Sequence, residues 1–164
     1  MPASTEFHIR PIRPGDDVTM AKIIRQVMPE FSADGPGFAL HDSEVDTLSE
    51  AYTRRGSAYF VIEQNGRVMG GGGIAPLLGA TPDTCELRKM YFLPEARGFG
   101  VGQQLVELCV ETARTMGYKW CYLETLKTMI DAKSLYERNG FRRIDKPLGR
   151  TGHFGCDSWY VKGL

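Results

Sequence analysis

No charge of either sign dominates this sequence. Its 20 basic and 20 acidic side chains cancel, so the bulk electrostatics that mark a nucleic-acid or membrane-surface partner are missing. No apolar run approaches the roughly 18 residues that a membrane-spanning helix needs. The start of the chain lacks the basic-then-apolar pattern of a secretory leader. Cysteine is sparse: Cys85, Cys109, Cys121 and Cys156 contain no C-x-x-C pair, and two of them fall in apolar runs, where a small buried thiol is the common outcome. Internal repeats and low-complexity tracts are absent too. These absences lead to the expectation of a cytoplasmic protein with no membrane, nucleic-acid or metal partner. What remains is an ordinary globular composition, 42% apolar over 164 residues, the size and make-up of one domain spanning residues 1–164.

The pattern along the chain predicts alternating strands and helices. Phe7 to Arg13 alternates as a half-buried strand does, and Pro14-Gly15-Asp16-Asp17 supplies a turn and a helix cap. Val18, Ala21, Ile24, Val27 and Met28 then mark a buried helical stripe that Pro29 closes. Residues 30–42 read as a loop, and Ser43, Glu44 and Leu48 suggest a short second helix. Residues 58–63 and 67–75 are strand-like and meet at Asn65-Gly66, a strong hairpin signal. Four consecutive glycines, Gly70 to Gly73, interrupt the second of these, either as a flexible or bulged stretch or because a close neighbour requires missing side chains. A strand over 84–93 ends at Pro94. A helix over 101–116 carries Leu105, Leu108, Cys109, Thr112, Ala113 and Met116 on its buried face and ends at Gly117. Residues 120–125 read as a buried strand, 130–138 as a helix closed by Asn139-Gly140, 141–144 as a strand and 154–161 as a closing one. The fold class is α/β (α+β), with an early antiparallel hairpin and a late strand-helix-strand crossover.

The most informative stretch runs from Met90 to Gln103. A strand ends, glycines let the backbone turn and approach a ligand, and a helix opens with free N–H groups and the positive end of its dipole. That arrangement binds phosphate. A dinucleotide fingerprint needs a glycine where Gln103 stands, although Glu124 lies near the place of a ribose-binding acid. A P-loop needs a lysine and a hydroxyl after its last glycine, and Gly102-Gln103-Gln104 offers neither.

Arg97, Gly100 and Gly102 form Arg-x-x-Gly-x-Gly, preceded by the strand over 87–94 with its Pro. Further on, Ala132, Leu135, Tyr136, Gly140 and Phe141 form Ala-x-x-Leu-Tyr-x-x-x-Gly-Phe. In these residues the chain resembles the GCN5-related N-acetyltransferase (GNAT) family, closely over 58–145 and in outline before it. The resemblance implies a mixed, mostly antiparallel sheet of about seven strands flanked by about four helices. It implies acetyl-CoA as co-substrate, with the pantetheine arm on main-chain groups of Met90, Tyr91 and Phe92. The pyrophosphate would lie on the N–H groups of Arg97, Gly98, Phe99, Gly100, Val101, Gly102 and Gln103. One departure stands out: Met129 occupies the position where the family often has Asn, which leaves Thr125 or Thr128 as possible substitutes.

Acetyl transfer from a thioester needs a deprotonated amine, a polarised carbonyl and a stabilised leaving thiolate. By resemblance Tyr136 serves the thiolate, its phenol having an ordinary pKa of about 10, unless it is only a packed core tyrosine. Glu86 stands where some members keep a general base; the alternative is a strand-start charge paired with Arg88 or Lys89. Glu124, at the end of the following strand, could be a second base or a partner for a substrate ammonium. His153 and Cys156 invite a nucleophile or half a metal site but lack recognisable partners, so a closing strand with a packed thiol is expected. His8 and His41 carry no signal. The expected activity is direct acetyl transfer in a ternary complex to a primary amine, small-molecule or protein/peptide. The acidic run Glu30, Asp34, Asp42, Glu44 and Asp46 suits a cationic amine or else forms a solvated face. A non-catalytic acyl-CoA sensor of the same fold is the alternative. Homodimers are frequent in proteins that look like this one.

Overall fold

A computed structural model describes residues 6–164; residues 1–5, where any leader would begin, lie outside the described residues. The elements follow in the order β1 (His8–Pro11), α1 (Asp17–Glu30), α2 (Leu48–Ala51), β2 (Ala58–Gln64), β3 (Arg67–Pro76), β4 (Thr84–Phe92), α3 (Val101–Thr115), β5 (Trp120–Thr125), α4 (Ile130–Arg138), β6 (Arg142–Ile144) and β7 (Ser158–Gly163). Seven strands form one sheet in the order β1-β2-β3-β4-β5-β7-β6. Every neighbouring pair is antiparallel except β4 with β5. That parallel pair is joined by α3, the crossover that the spacing predicts.

Alternation along the strands divides the core between the two faces of the sheet. Val61 packs with α1 and α2 residues such as Met20, Ile24, Val27 and Leu48. Ile62, one residue on, packs with Leu105, Cys109 and Ala113 of α3 and Tyr136 of α4. Several expected core positions lie outside. Val18 is 67% exposed, Met116 43% and Trp120 45%, because each sits at the outer end of its element. Met20, Ile23, Val106 and Val110 fill the stripes in their place. Pro29 sits inside the last turn of α1 rather than after it. Two single turns of 3-10 helix, Ala39–His41 and Ser43–Asp46, precede α2. Four residues cannot hold a helix alone; the Asp17 carboxylate, accepting from the Ser49 amide at 2.8 Å and its hydroxyl at 2.6 Å, ties α2 to α1. The closing strand is Ser158–Gly163, later than expected, and Phe154 stands 79% exposed before it.

The four-glycine run is explained by its neighbours. A Cβ on Gly71 would lie 2.6 Å from the Phe60 carbonyl oxygen, and one on Gly73 2.3 Å from that of Ala58, with the Tyr59 ring also against both. On Gly72 it would meet the Met90 side chain at 2.8 Å and Leu105 at 3.2 Å. Here β3 is squeezed between the Tyr59 ring on one face and Met90 with α3 on the other. Gly73→Ala, which drives a Cβ into backbone, is expected to destabilise the fold by about 2–3 kcal/mol, whereas Gly72→Ala, which meets a flexible Met, costs about 1 kcal/mol or less. Urea melts of the two variants check the order; equal losses would show that the crowding is relieved by backbone movement.

Candidate active site

The site begins where β4 and β5 part. Their register runs only through Thr84–Trp120, Cys85–Cys121 and Glu86–Tyr122. Beyond Glu86 the β5-facing edge of β4 has no strand partner, while β3 continues to pair with its other edge. A bulge causes the divergence. Gly71 pairs with Tyr91 but Gly73 with Arg88, so two β4 residues, Lys89 and Met90, lie opposite the single Gly72. Lys89 takes a left-handed φ of 49°, uncommon for a side-chain-bearing residue. The Tyr59 hydroxyl donates to its carbonyl at 2.7 Å. The side chain is all but buried, its ammonium bonded to Asp42 at 2.7 Å and to Glu44. Leu87 and Met90 pack on the α3 side of the sheet.

A cavity of about 890 Å³ opens in this split. Met90, Tyr91, Phe92, Arg97, Gly98, Gly100, Val101, Gly102 and Gln103 all line it, joined by Thr128, Met129 and Tyr136. Phe99 is set apart from them: it is 58% exposed and packs on Phe7 at 5.4 Å between ring centroids. Gly98 and Gly100 have φ of 86° and 76° with open space around a notional Cβ, so conformation and not crowding selects glycine there. Gly100 caps α3 without any side-chain hydrogen bond, leaving the first-turn N–H groups to a ligand. The Arg97 guanidinium turns back, donating to the Phe92 carbonyl at 2.9 Å, pairing with Glu30 at 2.9 Å and lying over the Phe31 ring. It braces the loop. Gln103 and Asn139 exchange amide hydrogen bonds of 2.8 Å, which fasten the start of α3 to the end of α4. The Thr125 hydroxyl is turned toward the Met129 sulfur at 3.4 Å, so of the two threonines only Thr128 lines the large cavity.

A second, smaller pocket holds the remaining polar groups. Glu86, Arg88, Lys89, Glu124, His153 and Cys156 line it, with Met28, Phe38 and Leu126 among its apolar walls. Glu86, 3% exposed, is paired with Arg88 at 2.6 Å. Burial raises its carboxyl above the usual range, and Arg88 and His153 oppose that rise. Glu124 accepts from the Tyr122 hydroxyl at 2.7 Å and from Thr151. Cys156 has its thiol pushed up to about 12 by burial, too high for a thiolate nucleophile at neutral pH. Met90, Tyr91, Met129, Ala132 and Tyr136 line both pockets, so the two meet at Tyr136. Burial drives the Tyr136 phenol well above its ordinary value and keeps it protonated.

His153 stands in this pocket although its sequence surroundings predict only a closing strand. Its Nε2–H donates to both Asp42 oxygens at 2.9 Å, and its Nδ1 lies 3.4 Å from Glu124. Burial of the ring lowers its pKa, but the hydrogen bonds to Asp42 and Glu124 prevail and raise it to about 9. Burial works against the Asp42 charge too, yet His153 and Lys89 hold its carboxyl below the usual range. The acidic run therefore offers less free charge than expected: Glu30 serves Arg97, Asp42 and Glu44 serve Lys89, and Asp46 serves Arg25. One ligand-type atom from each of Glu86, Glu124 and His153 lies within 4.8 Å of the others. A divalent cation would suit that spacing, but Arg88 on Glu86 and the protonated imidazole already compensate the carboxylates from within. Only the pairing of residues 111 positions apart exposes the role of Asp42; the His153–Cys156 run was the one sequence signal pointing there.

Comparisons with known proteins agree with this architecture. Residues 22–141 match the model of the acetyltransferase (GNAT) family. The chain is 47% identical over 150 residues to YjgM of Escherichia coli strain K12, an uncharacterized N-acetyltransferase, covering 91% of this chain and 90% of that protein. Its fold is similar to that of a GNAT-family acetyltransferase from Staphylococcus aureus, with a TM-score of 0.84 at 20% identity over 97% of this chain and 99% of the other. It is also similar to PaiA N-acetyltransferase from Thermoplasma acidophilum, whose structure is in complex with coenzyme A, with a TM-score of 0.74 at 16% identity over 98% and 100%. Among the described residues no helix is long and apolar enough to cross a membrane. A split sheet with glycine-opened helix at its mouth, a family match across most of the chain and a close N-acetyltransferase relative together show that this chain belongs to the GNAT acetyltransferase family.

Proposed function

We propose that this protein transfers acetyl from acetyl-CoA to a primary amine directly, with both substrates bound at once. The observation that carries this reading is the meeting of two pockets of different character at Tyr136. The larger fits the cofactor: its volume, its uncapped helix N-terminus and the unpartnered edge of β4 suit a long ligand with a charged pyrophosphate. In this reading the N–H groups from Arg97 to Gln103 hold the pyrophosphate, and main-chain groups of Met90 to Phe92 hold the pantetheine arm. When bound, acetyl-CoA supplies an activated acetyl thioester. Gln103 contributes through its backbone, since its side chain is committed to Asn139 and Glu107.

The acceptor amine occupies the smaller pocket, where Glu86 takes its proton. A buried carboxylate with a raised pKa is a better base toward an ammonium than one in water, and Arg88 keeps it from protonating outright. Tyr136 donates to the departing sulfur, a task its protonated phenol can perform at any pH in the physiological range. The Cys156 thiol, which burial holds protonated, supports direct transfer over an acyl-cysteine route. The acceptor is a primary amine of a small molecule or of a polypeptide.

A titration with acetyl-CoA followed by thiol release over a panel of amines tests the reading. Binding with CoA release is expected; binding without release from any amine would favour a sensor. Tyr136→Phe is expected to lower kcat by about 100-fold while leaving acetyl-CoA affinity within about threefold, since a positioned acid contributes about 10²–10⁴-fold. An unchanged kcat would remove Tyr136 from the chemistry. Cys156→Ser is expected to lower kcat by less than about tenfold, with intersecting initial-velocity lines; parallel lines and a dead variant would establish an acyl-cysteine route instead.

A further inference from the structure

His153 links separate segments around the acceptor pocket. It reaches Asp42, from the segment between α1 and α2, and Glu124, at the end of β5, and it lies beside Glu86 of β4. Its imidazole is 13% exposed, so solvent screens these interactions poorly. The groups facing it are all accounted for among the described residues. Asp42 is shared with Lys89, Glu124 with the Tyr122 and Thr151 hydroxyls, and Glu86 with Arg88, while the Cys156 thiol lines the same pocket. An imidazole in hydrogen-bonding range of two carboxylates, and near a third, is held as imidazolium. It then has no lone pair with which to deprotonate an amine. Its effect is exerted as charge: it lowers the carboxyl of Glu86 against the burial that raises it.

We propose that His153 is a positioning residue for acetyl transfer, the cation that ties Asp42 to the Glu124 and Glu86 side of the pocket and adds to Arg88 a second positive charge favouring the ionised Glu86. This rests on the reading of Glu86 as the base. The proton balance is simple. The acceptor ammonium gives one proton to the Glu86 carboxylate, and the amine nitrogen forms the new bond to the acetyl carbon as the C–S bond breaks. The thiolate leaves with the Tyr136 proton, and the second nitrogen proton, shed as the amide forms, returns to the Tyr136 phenolate. His153 neither gains nor loses a proton in that sequence.

The test is the pH profile of kcat in the wild type, His153→Gln and Glu86→Gln. Glutamine keeps a donor for Asp42 but carries no charge. Without the imidazolium, the acidic limb set by Glu86 is expected to move up by about one pH unit, so that kcat below the limb falls about tenfold while KM for acetyl-CoA is unchanged. A uniform loss with an unmoved limb would mean a structural role only and would overturn the proposal, as would an unchanged profile. A Glu86→Gln variant with wild-type kcat would instead sink the base reading. Linkage supplies a second measurement that needs neither turnover nor the His153 variant. The chain has three histidines, and NMR titration should find His153 at about 9. Glu86→Gln, which removes one of the carboxylates around the imidazole, should lower that value. An unmoved His153 titration would show the two groups uncoupled and end the proposal whatever the activity.

Discussion

The site depends on one constraint: β4 must stop pairing with β5 after Glu86 without losing its hold on β3. A bulge meets both demands, because an extra residue in β4 bends the strand away from one neighbour while the ladder to the other resumes at Tyr91. The bulge is expensive by itself. It places Lys89 in a left-handed conformation, and it buries an ammonium whose isolated desolvation would cost several kcal/mol. Asp42 and Glu44 neutralise that ammonium, and Tyr59 satisfies the carbonyl of the same residue. Tyr59 can lie there only because Gly71 and Gly73 have no side chains. Gly71, Gly72 and Gly73, one tyrosine and two acids from a distant loop thus converge on a single backbone kink.

The same convergence links the two halves of the site. Asp42 bonds both Lys89, which sits in the bulge that parts β4 from β5, and His153, which lines the smaller pocket. A movement in the segment carrying Asp42 would therefore disturb both. Buried ion clusters of this kind add little net stability compared with apolar packing of equal volume. Around this pocket Asp42, Glu44, Glu86 and Glu124 are balanced by Arg88, Lys89 and His153, an arrangement that opposes the rise that burial imposes on the Glu86 carboxyl.

What the sequence made legible follows from range. The glycine loop and the Ala132-to-Phe141 motif are local: a helix start requiring left-handed residues is written in Gly98 and Gly100 themselves, and the hairpin at Asn65-Gly66 announces its own turn. Element types were readable for the same reason, while ends such as Val18, Met116 and Trp120 were misjudged because periodicity continues past the point where the neighbour runs out. The fate of Gly70 to Gly73 depended on Tyr59 and α3, and so stayed open until packing was known. His153 and Asp42 were beyond reach, since nothing in either neighbourhood encodes a partner 111 residues away.

That division bears on how function can vary within the family. On the proposed reading the loop from Arg97 to Gln103 works through backbone N–H groups and needs glycines more than any particular side chain, so it can persist while the rest of the chain drifts. The smaller pocket, proposed to take the acceptor, is assembled from β4, β5, the segment around Asp42 and the segment around His153, and its polar lining is made of side chains. A substitution in either segment alters which charges surround Glu86 without touching the sheet. On the proposed reading acceptor choice is separable from the fold, and it is argued from these side chains in each protein rather than from the family.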